Sequence, residues 1–259
     1  MKDLLCSLLL ILMIHSQPDK TDIPPAASSH DGSEGFKKRQ LTFPRVKAAY
    51  QDTWKPMQKA LLEAKIPAGS ELLIMAYKKE GMLEVWMKPK GTSRYQLFRS
   101  YGFCARSGVL GPKVQEGDYQ TPEGFYEINA FNPQSNFHLS LGVSYPNAVD
   151  LARSGTKKPG GEIYIHGNCV TVGCVPLTDE KIKEVYLLAI EARNAGQQRI
   201  PVYMFPFRMN EVNFEKNAKQ FPQFRNFWAS MKTGYQYFES RKTLPQIRVK
   251  SGQYQISKE

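Results

Sequence analysis

Between residues 72 and 166 the chain is cut into short apolar segments of strand length, and this limits what it can fold into. Leu72–Tyr77, Met82–Met87 and Tyr95–Cys104 are rich in β-branched, aromatic and aliphatic side chains, with Gly81 and Gly91 between them as turns. Phe125–Ile128 and Phe137–Val143 continue the pattern. In Glu162–His166, Ile163 and Ile165 alternate with Tyr164 and His166, which predicts a strand that delivers His166 at its end. Residues 144–160, rich in Pro, Gly, Ser and Lys, predict a long loop before it.

The period changes after Cys174. Ile182, Val185, Tyr186, Ala189 and Ile190 mark an amphipathic helix, with Thr178 as N-cap, Asp179 and Glu180 in its first turn and Gly196 as its stop. Ile200–Phe205 predicts a further strand, and Gln246–Val249 a last one. Between them Phe224, Phe227, Trp228, Met231, Tyr235 and Phe238 recur at helical spacing, as a packing face does. Upstream, Val46, Tyr50, Trp54, Met57 and Leu61 predict helix over 44–65, with a kink or a second helix starting at Pro56. The expected fold class is mainly β (α+β), with peripheral helices and a helical C-terminal extension. A single catalytic domain is expected over 41–259, its core over about 70–206.

The N-terminus predicts an export signal. Lys2 precedes an apolar run, Leu4–Ile14, that is too short to span a membrane and suits a signal segment. Cleavage after Ser16 is expected, so that 1–16 is the signal; the alternative is an uncleaved N-terminal anchor, the only expected tie to a membrane. Residues 17–40 hold almost no large apolar side chains and predict a flexible linker, with structure beginning near Leu41. The net charge of +11 is spread in short groups such as Lys37-Lys38-Arg39, without nucleic-acid-binding motifs. It predicts a basic surface or attraction to a polyanion such as a wall polymer, and no nucleic-acid partner.

The chemistry concentrates in Ile165-His166-Gly167-Asn168-Cys169-Val170-Thr171-Val172-Gly173-Cys174. A thiolate is the reactive form of cysteine, and a nearby histidine can take its proton and hold the ion pair. Cys174 is the expected nucleophile, because it follows Gly173 and lies just before a helix N-terminus that favours thiolate. Cys169 is the competitor, with packing or a disulfide as its other role. His166 is the expected base, with His138 as second choice. Signal removal leaves Cys104, Cys169 and Cys174, an odd count that leaves at least one thiol free; a Cys104–Cys169 disulfide is one arrangement the sequence allows. Cys169 and Cys174 with a single nearby histidine lack a fourth ligand, so neither metal nor cofactor is expected.

These residues carry a family resemblance. Ile165-His166-Gly167 followed by Thr171-x-Gly173-Cys174 resembles the signature of the L,D-transpeptidase catalytic domain of the YkuD type, nearest its YafK-like branch. Leu110-Gly111-Pro112-Lys113, then Thr121-Pro122-Glu123-Gly124-Phe125-Tyr126-Glu127-Ile128, resembles that family's strand entry, and the match covers roughly residues 70–206. The resemblance implies a β-sandwich or barrel core. It implies that Cys174 attacks a peptidoglycan stem peptide, that His166 holds the thiolate and protonates the leaving amine, and that the Gly167 carbonyl orients the imidazole. Backbone N–H groups around Gly173 and Cys174 are then expected to stabilise the oxyanion, and Thr171, Tyr164 and His138 to line the substrate. The acyl group passes to an amine, as in a crosslink or attachment to a wall-attached protein, or to water. The implied location is periplasmic or otherwise extracytoplasmic. Two departures matter: Val172 stands where many members have histidine, and Pro176 where many have an arginine able to anchor a carboxylate. The Pro176 departure favours hydrolysis or an unusual acceptor. A non-catalytic wall-binding module with the same fold is the alternative.

Overall fold

The computed structural model describes residues 33–257, so the expected signal and most of the expected linker lie outside the described residues. The end of that linker is helical. Helix α1 (Ser33–Gln40) forms because distant residues receive it: the Phe36 ring packs edge-on against Phe131 at 4.9 Å, and the Tyr186 hydroxyl donates to Gln40 at 2.8 Å. Structure therefore begins before Leu41. Helix α2 (Pro44–Glu63) is continuous. Pro44 occupies its first turn, where no N–H is needed, and Pro56 lies within it without starting a second helix. Val46, Ala49, Met57 and Leu61 form its buried stripe.

Eight strands form one curled half-barrel sheet. They are β1 (Glu71–Tyr77), β2 (Met82–Lys88), β3 (Gln96–Gly102), β4 (Gly124–Asn132), β5 (Ser140–Val143), β6 (Tyr164–His166), β7 (Val175–Pro176) and β8 (Pro201–Phe205). Their order is β3-β2-β1-β8-β4-β5-β6-β7; β1 runs parallel to β8 and β6 parallel to β7, and the other neighbours are antiparallel. Strand β1 explains the continuous apolar run: it is covered on both faces. Leu72, Ile74 and Ala76 join one core with α2 and α4 (Asp179–Asn194), while Leu73, Met75 and Tyr77 join a second core with the C-terminal helices.

The segment 144–160 is not only loop. Asn147 accepts from the Val149 and Asp150 N–H groups, Asp150 returns the bond, and this capping box starts α3 (Ala148–Ser154). The expected strand from Phe137 shortens to β5, because His138 turns into the left-handed region at φ 66°.

The C-terminal extension consists of α5 (Glu211–Gln220), α6 (Arg225–Arg241) and a hairpin, β9 (Gln246–Lys250) with β10 (Gln253–Ser257). The aromatic stripe on α6 is a packing face, with Phe227, Trp228, Met231, Tyr235 and Phe238 buried. It is tied to the sheet through fully buried Glu123, just before β4. One Glu123 oxygen accepts from Lys78 at 3.0 Å and from the Gly111 N–H at 2.8 Å; the other accepts from the Trp228 indole at 2.8 Å. The motif around Gly111 and Glu123 is thereby a structural joint beside the cleft described next.

Candidate active site

Strand β6 ends at His166, and two-residue β7 pairs parallel with it, Ile165 opposite Val175 and His166 opposite Pro176. Ile165 and Val175 enter the core, so Tyr164, His166 and Cys174 share the other face. Strand rise and spacing put the His166 and Cys174 Cα atoms about 8 Å apart on that face. The Tyr164 N–H donates to Cys174 Sγ at 3.4 Å, and the thiol donates to the Glu162 carbonyl at 3.6 Å. Cys174 is the free cysteine among the described residues; Cys104 and Cys169 form a disulfide. That settles the pairing left open by the sequence and ties the loop between His166 and Cys174 to the segment after β3.

His166 is buried, and its Nδ1–H donates to the Gly167 carbonyl at 2.5 Å. This fixes the tautomer, with the Nε2 lone pair left to act as a base. Burial lowers the imidazole pKa, and the Gly167 bond partly restores it. The Phe137 ring lies 4.8 Å from the imidazole at a 35° tilt.

Burial pushes the Cys174 thiol above its ordinary value; the Tyr164 N–H draws it back, Glu162 raises it and Lys113 lowers it. Burial outweighs any thiolate-favouring effect of the nearby helix, and the net direction at the thiol is upward. Strand β7 separates Cys174 from α4, and the Thr178 side chain makes no capping bond to that helix.

A cleft of about 410 Å³ opens over Cys174, lined by Lys113, Tyr119, Glu162, Val172 and Gly173 among others. Lys113 is nearly buried, donating to the Gln115 carbonyl at 2.9 Å and pairing with Asp118 at 2.6 Å. Asp118 also accepts from the Val114, Gln115 and Gln120 N–H groups, which shapes this wall of the cleft. Gly173 has φ 142°, and a Cβ there would stand 2.9 Å from the Gln120 carbonyl, so only glycine fits against that wall.

The Thr171 hydroxyl, expected toward substrate, bonds within its own loop: it donates to the Cys174 carbonyl at 2.9 Å and accepts from the Gly173 N–H at 3.1 Å. The Gly173 N–H, expected toward an oxyanion, is bonded inside the loop. His138 lies apart from the thiol, in a separate hollow of about 470 Å³ with Arg45, Asn168, Cys169, Asp179 and others. Its Nδ1 is 3.9 Å from Asp179, and burial lowers its pKa while Asp179 opposes the shift. Tyr164 remains at the site, its hydroxyl donating to Glu162 at 2.8 Å. Sequence alone does not mark Phe137 as a site residue, and it marks Lys113 only by its place in Leu110-Gly111-Pro112-Lys113.

The YkuD L,D-transpeptidase catalytic domain profile matches residues 72–195. A protein described as putative L,D-transpeptidase YafK of Escherichia coli K12 is 36% identical over 192 residues, covering 73% of this chain and 75% of that protein. This chain belongs to the L,D-transpeptidase family. Among solved structures, the helical cell shape determining protein Pgp2 of Campylobacter jejuni aligns at 18% identity, TM-score 0.42, over 70% of this chain and 73% of its own. Bd1075 of Bdellovibrio bacteriovorus aligns at 22% identity, TM-score 0.38, over 65% and 62%. The family's enzymes act on peptidoglycan, and this chain is an enzyme domain of that class.

Proposed function

We propose that this protein is an exported cysteine enzyme that acts on peptidoglycan stem peptides through an acyl-enzyme on Cys174. The observation that carries the proposal is the free thiol of Cys174 at the cleft, on the same strand face as an imidazole whose Nδ1–H is already bonded to Gly167. His166 Nε2 takes the thiol proton as the sulfur adds to the carbonyl of an L,D peptide bond. The resulting imidazolium then protonates the leaving amine. The Cys104–Cys169 disulfide supports an oxidising, extracytoplasmic location such as a periplasm.

Position 176 bears on the fate of the acyl group. Pro176 is buried in β7 opposite His166, and its carbonyl accepts from the Cys104 N–H at 3.1 Å. No arginine reaches the cleft from there to anchor an acceptor carboxylate. Water, or an amine bound differently from a second stem peptide, is therefore the proposed acceptor. The test supplies donor muropeptides with excess acceptor and quantifies products by mass spectrometry. Free carboxyl product is expected, lost in Cys174→Ala and retained in His138→Ala. Predominant crosslinked dimers overturn the hydrolytic assignment. No thioester adduct on reduced enzyme overturns the acyl-enzyme and favours a wall-binding module.

A further inference from the structure

His166 is oriented by a backbone carbonyl, and a carbonyl holds a ring only as firmly as its own peptide unit is held. The Gly167 C=O and the Asn168 N–H belong to one planar peptide unit. The carbonyl end accepts from His166 Nδ1–H at 2.5 Å, and the N–H end donates to Asp179 Oδ1 at 2.9 Å. Asn168 has φ 62°, in the left-handed region that asparagine adopts more readily than most non-glycine residues. Asp179 is itself placed by the first turn of the 16-residue helix α4. Gly167 permits the approach: a Cβ there would stand 2.6 Å from Asp179 Oδ1, 2.9 Å from the His138 Cβ and 3.0 Å from Ile182.

We propose that Asp179 is a positioning residue for His166, acting through the Gly167–Asn168 peptide unit that bonds to both. The carboxylate pulls on the N–H, and the carbonyl oxygen at the other end becomes a better acceptor for the imidazole N–H. The arrangement supplies the third member of a Cys–His site with a peptide bond between the orienting carboxylate and the ring. The catalytic part of this proposal rests on the acyl-enzyme assignment; the orienting part does not.

The full chain is examined as wild type, Asp179→Ala and Asp179→Asn, by muropeptide turnover and by ¹⁵N NMR of the imidazoles, with His166→Gln used to assign the His166 signals. Asp179→Ala is expected to lower kcat about 10-fold or more with KM within about twofold. It is expected to move His166 from a single Nδ1–H tautomer to a mixture of both. Asp179→Asn keeps an oxygen for the Asn168 N–H and is expected to hold kcat within about threefold and the tautomer unchanged. Should Asp179→Ala fail to fold, Asp179→Glu is the second variant: its longer arm moves the carboxylate off the peptide, and the same losses are expected. Wild-type kcat and tautomer in the Ala variant, or in Glu where Ala does not fold, overturn the proposal, as does an Asn variant that falls as far as Ala. If the wild-type protein turns over no muropeptide, the enzymatic assignment has failed, and the tautomer measurement alone decides whether Asp179 orients His166.

Discussion

Replacing Cys104 and Cys169 together by serine removes the one covalent tie on the loop between His166 and Cys174. The bond joins residues 65 apart in sequence. Treating it as a loop closed in the unfolded chain, with an entropy of −2.1 − 1.5R ln n cal/mol/K, gives about 4 kcal/mol at 25 °C. At about 2–4 °C per kcal/mol for a domain of this size, the double variant should melt roughly 8–16 °C below the wild type. The assay is thermal unfolding followed by circular dichroism and calorimetry, on wild type, wild type with a thiol reductant, and the double variant. The second and third should agree, because both open the same loop. Turnover should also fall below the melting range, since Cys169 lies five residues before Cys174 and its release frees the segment that carries Thr171 and Gly173. A melting shift under about 3 °C in both reduced and substituted protein would refute the loop-closure reasoning.

Other perturbations read other parts of the structure. Lys78→Met leaves Glu123 fully buried without its cation and should cost about 3–5 kcal/mol in denaturant unfolding, part of it recovered by adding Glu123→Gln. Asp150 has its carboxyl raised by burial from 3.8 to about 6, so the folded state holds its proton more tightly than the unfolded chain. Its contribution is fully present below pH ~4 and is lost as pH rises through ~6, by up to about 3 kcal/mol, and Asp150→Asn should flatten that part of the stability profile. Because burial raises the Cys174 thiol, iodoacetamide alkylation should keep accelerating into the alkaline range; a plateau reached below pH 7 would mean a resting ion pair instead.

What the sequence made legible was whatever is written locally. Helix α4 follows Thr178, Asp179 and Gly196 as expected, and the stripe from Phe227 to Phe238 packs as a helix face should. His166 stands at a strand end because alternation over a few residues suffices to place it. What stayed hidden depends on partners far along the chain or on elements too short to have a period. Helix α1 reads as linker because the residues that receive it lie far along the chain, Tyr186 146 positions from its partner Gln40 and Glu191 154 positions from its partner Lys37. Strand β7 is two residues, Val175-Pro176, and no periodicity marks such a piece. Helix α3 sits in a stretch whose Pro and Gly content signals loop, and only the reciprocal Asn147–Asp150 cap reveals it. The Thr171 hydroxyl could be seen in the motif, but its direction could not: only the folded loop turns it back onto Gly173 and Cys174.

The two pKa directions at the site bear on how it rests between turnovers. Burial lifts the thiol and lowers the imidazole, so both shifts favour the neutral forms of Cys174 and His166 over an ion pair. A neutral imidazole already committed by its Nδ1–H to Gly167 keeps Nε2 as a base, and on the proposed route the proton would move as the sulfur adds to a carbonyl. The same protein carries a disulfide one loop away, and such a bond persists where conditions are oxidising. There a low-pKa thiolate is the species that oxidants and disulfides attack, whereas a protonated thiol reacts slowly with both. On the proposed acyl-enzyme route, a thiol held protonated in this way would stay reduced where Cys104 and Cys169 stay joined, at the cost of a proton for His166 to remove in each cycle.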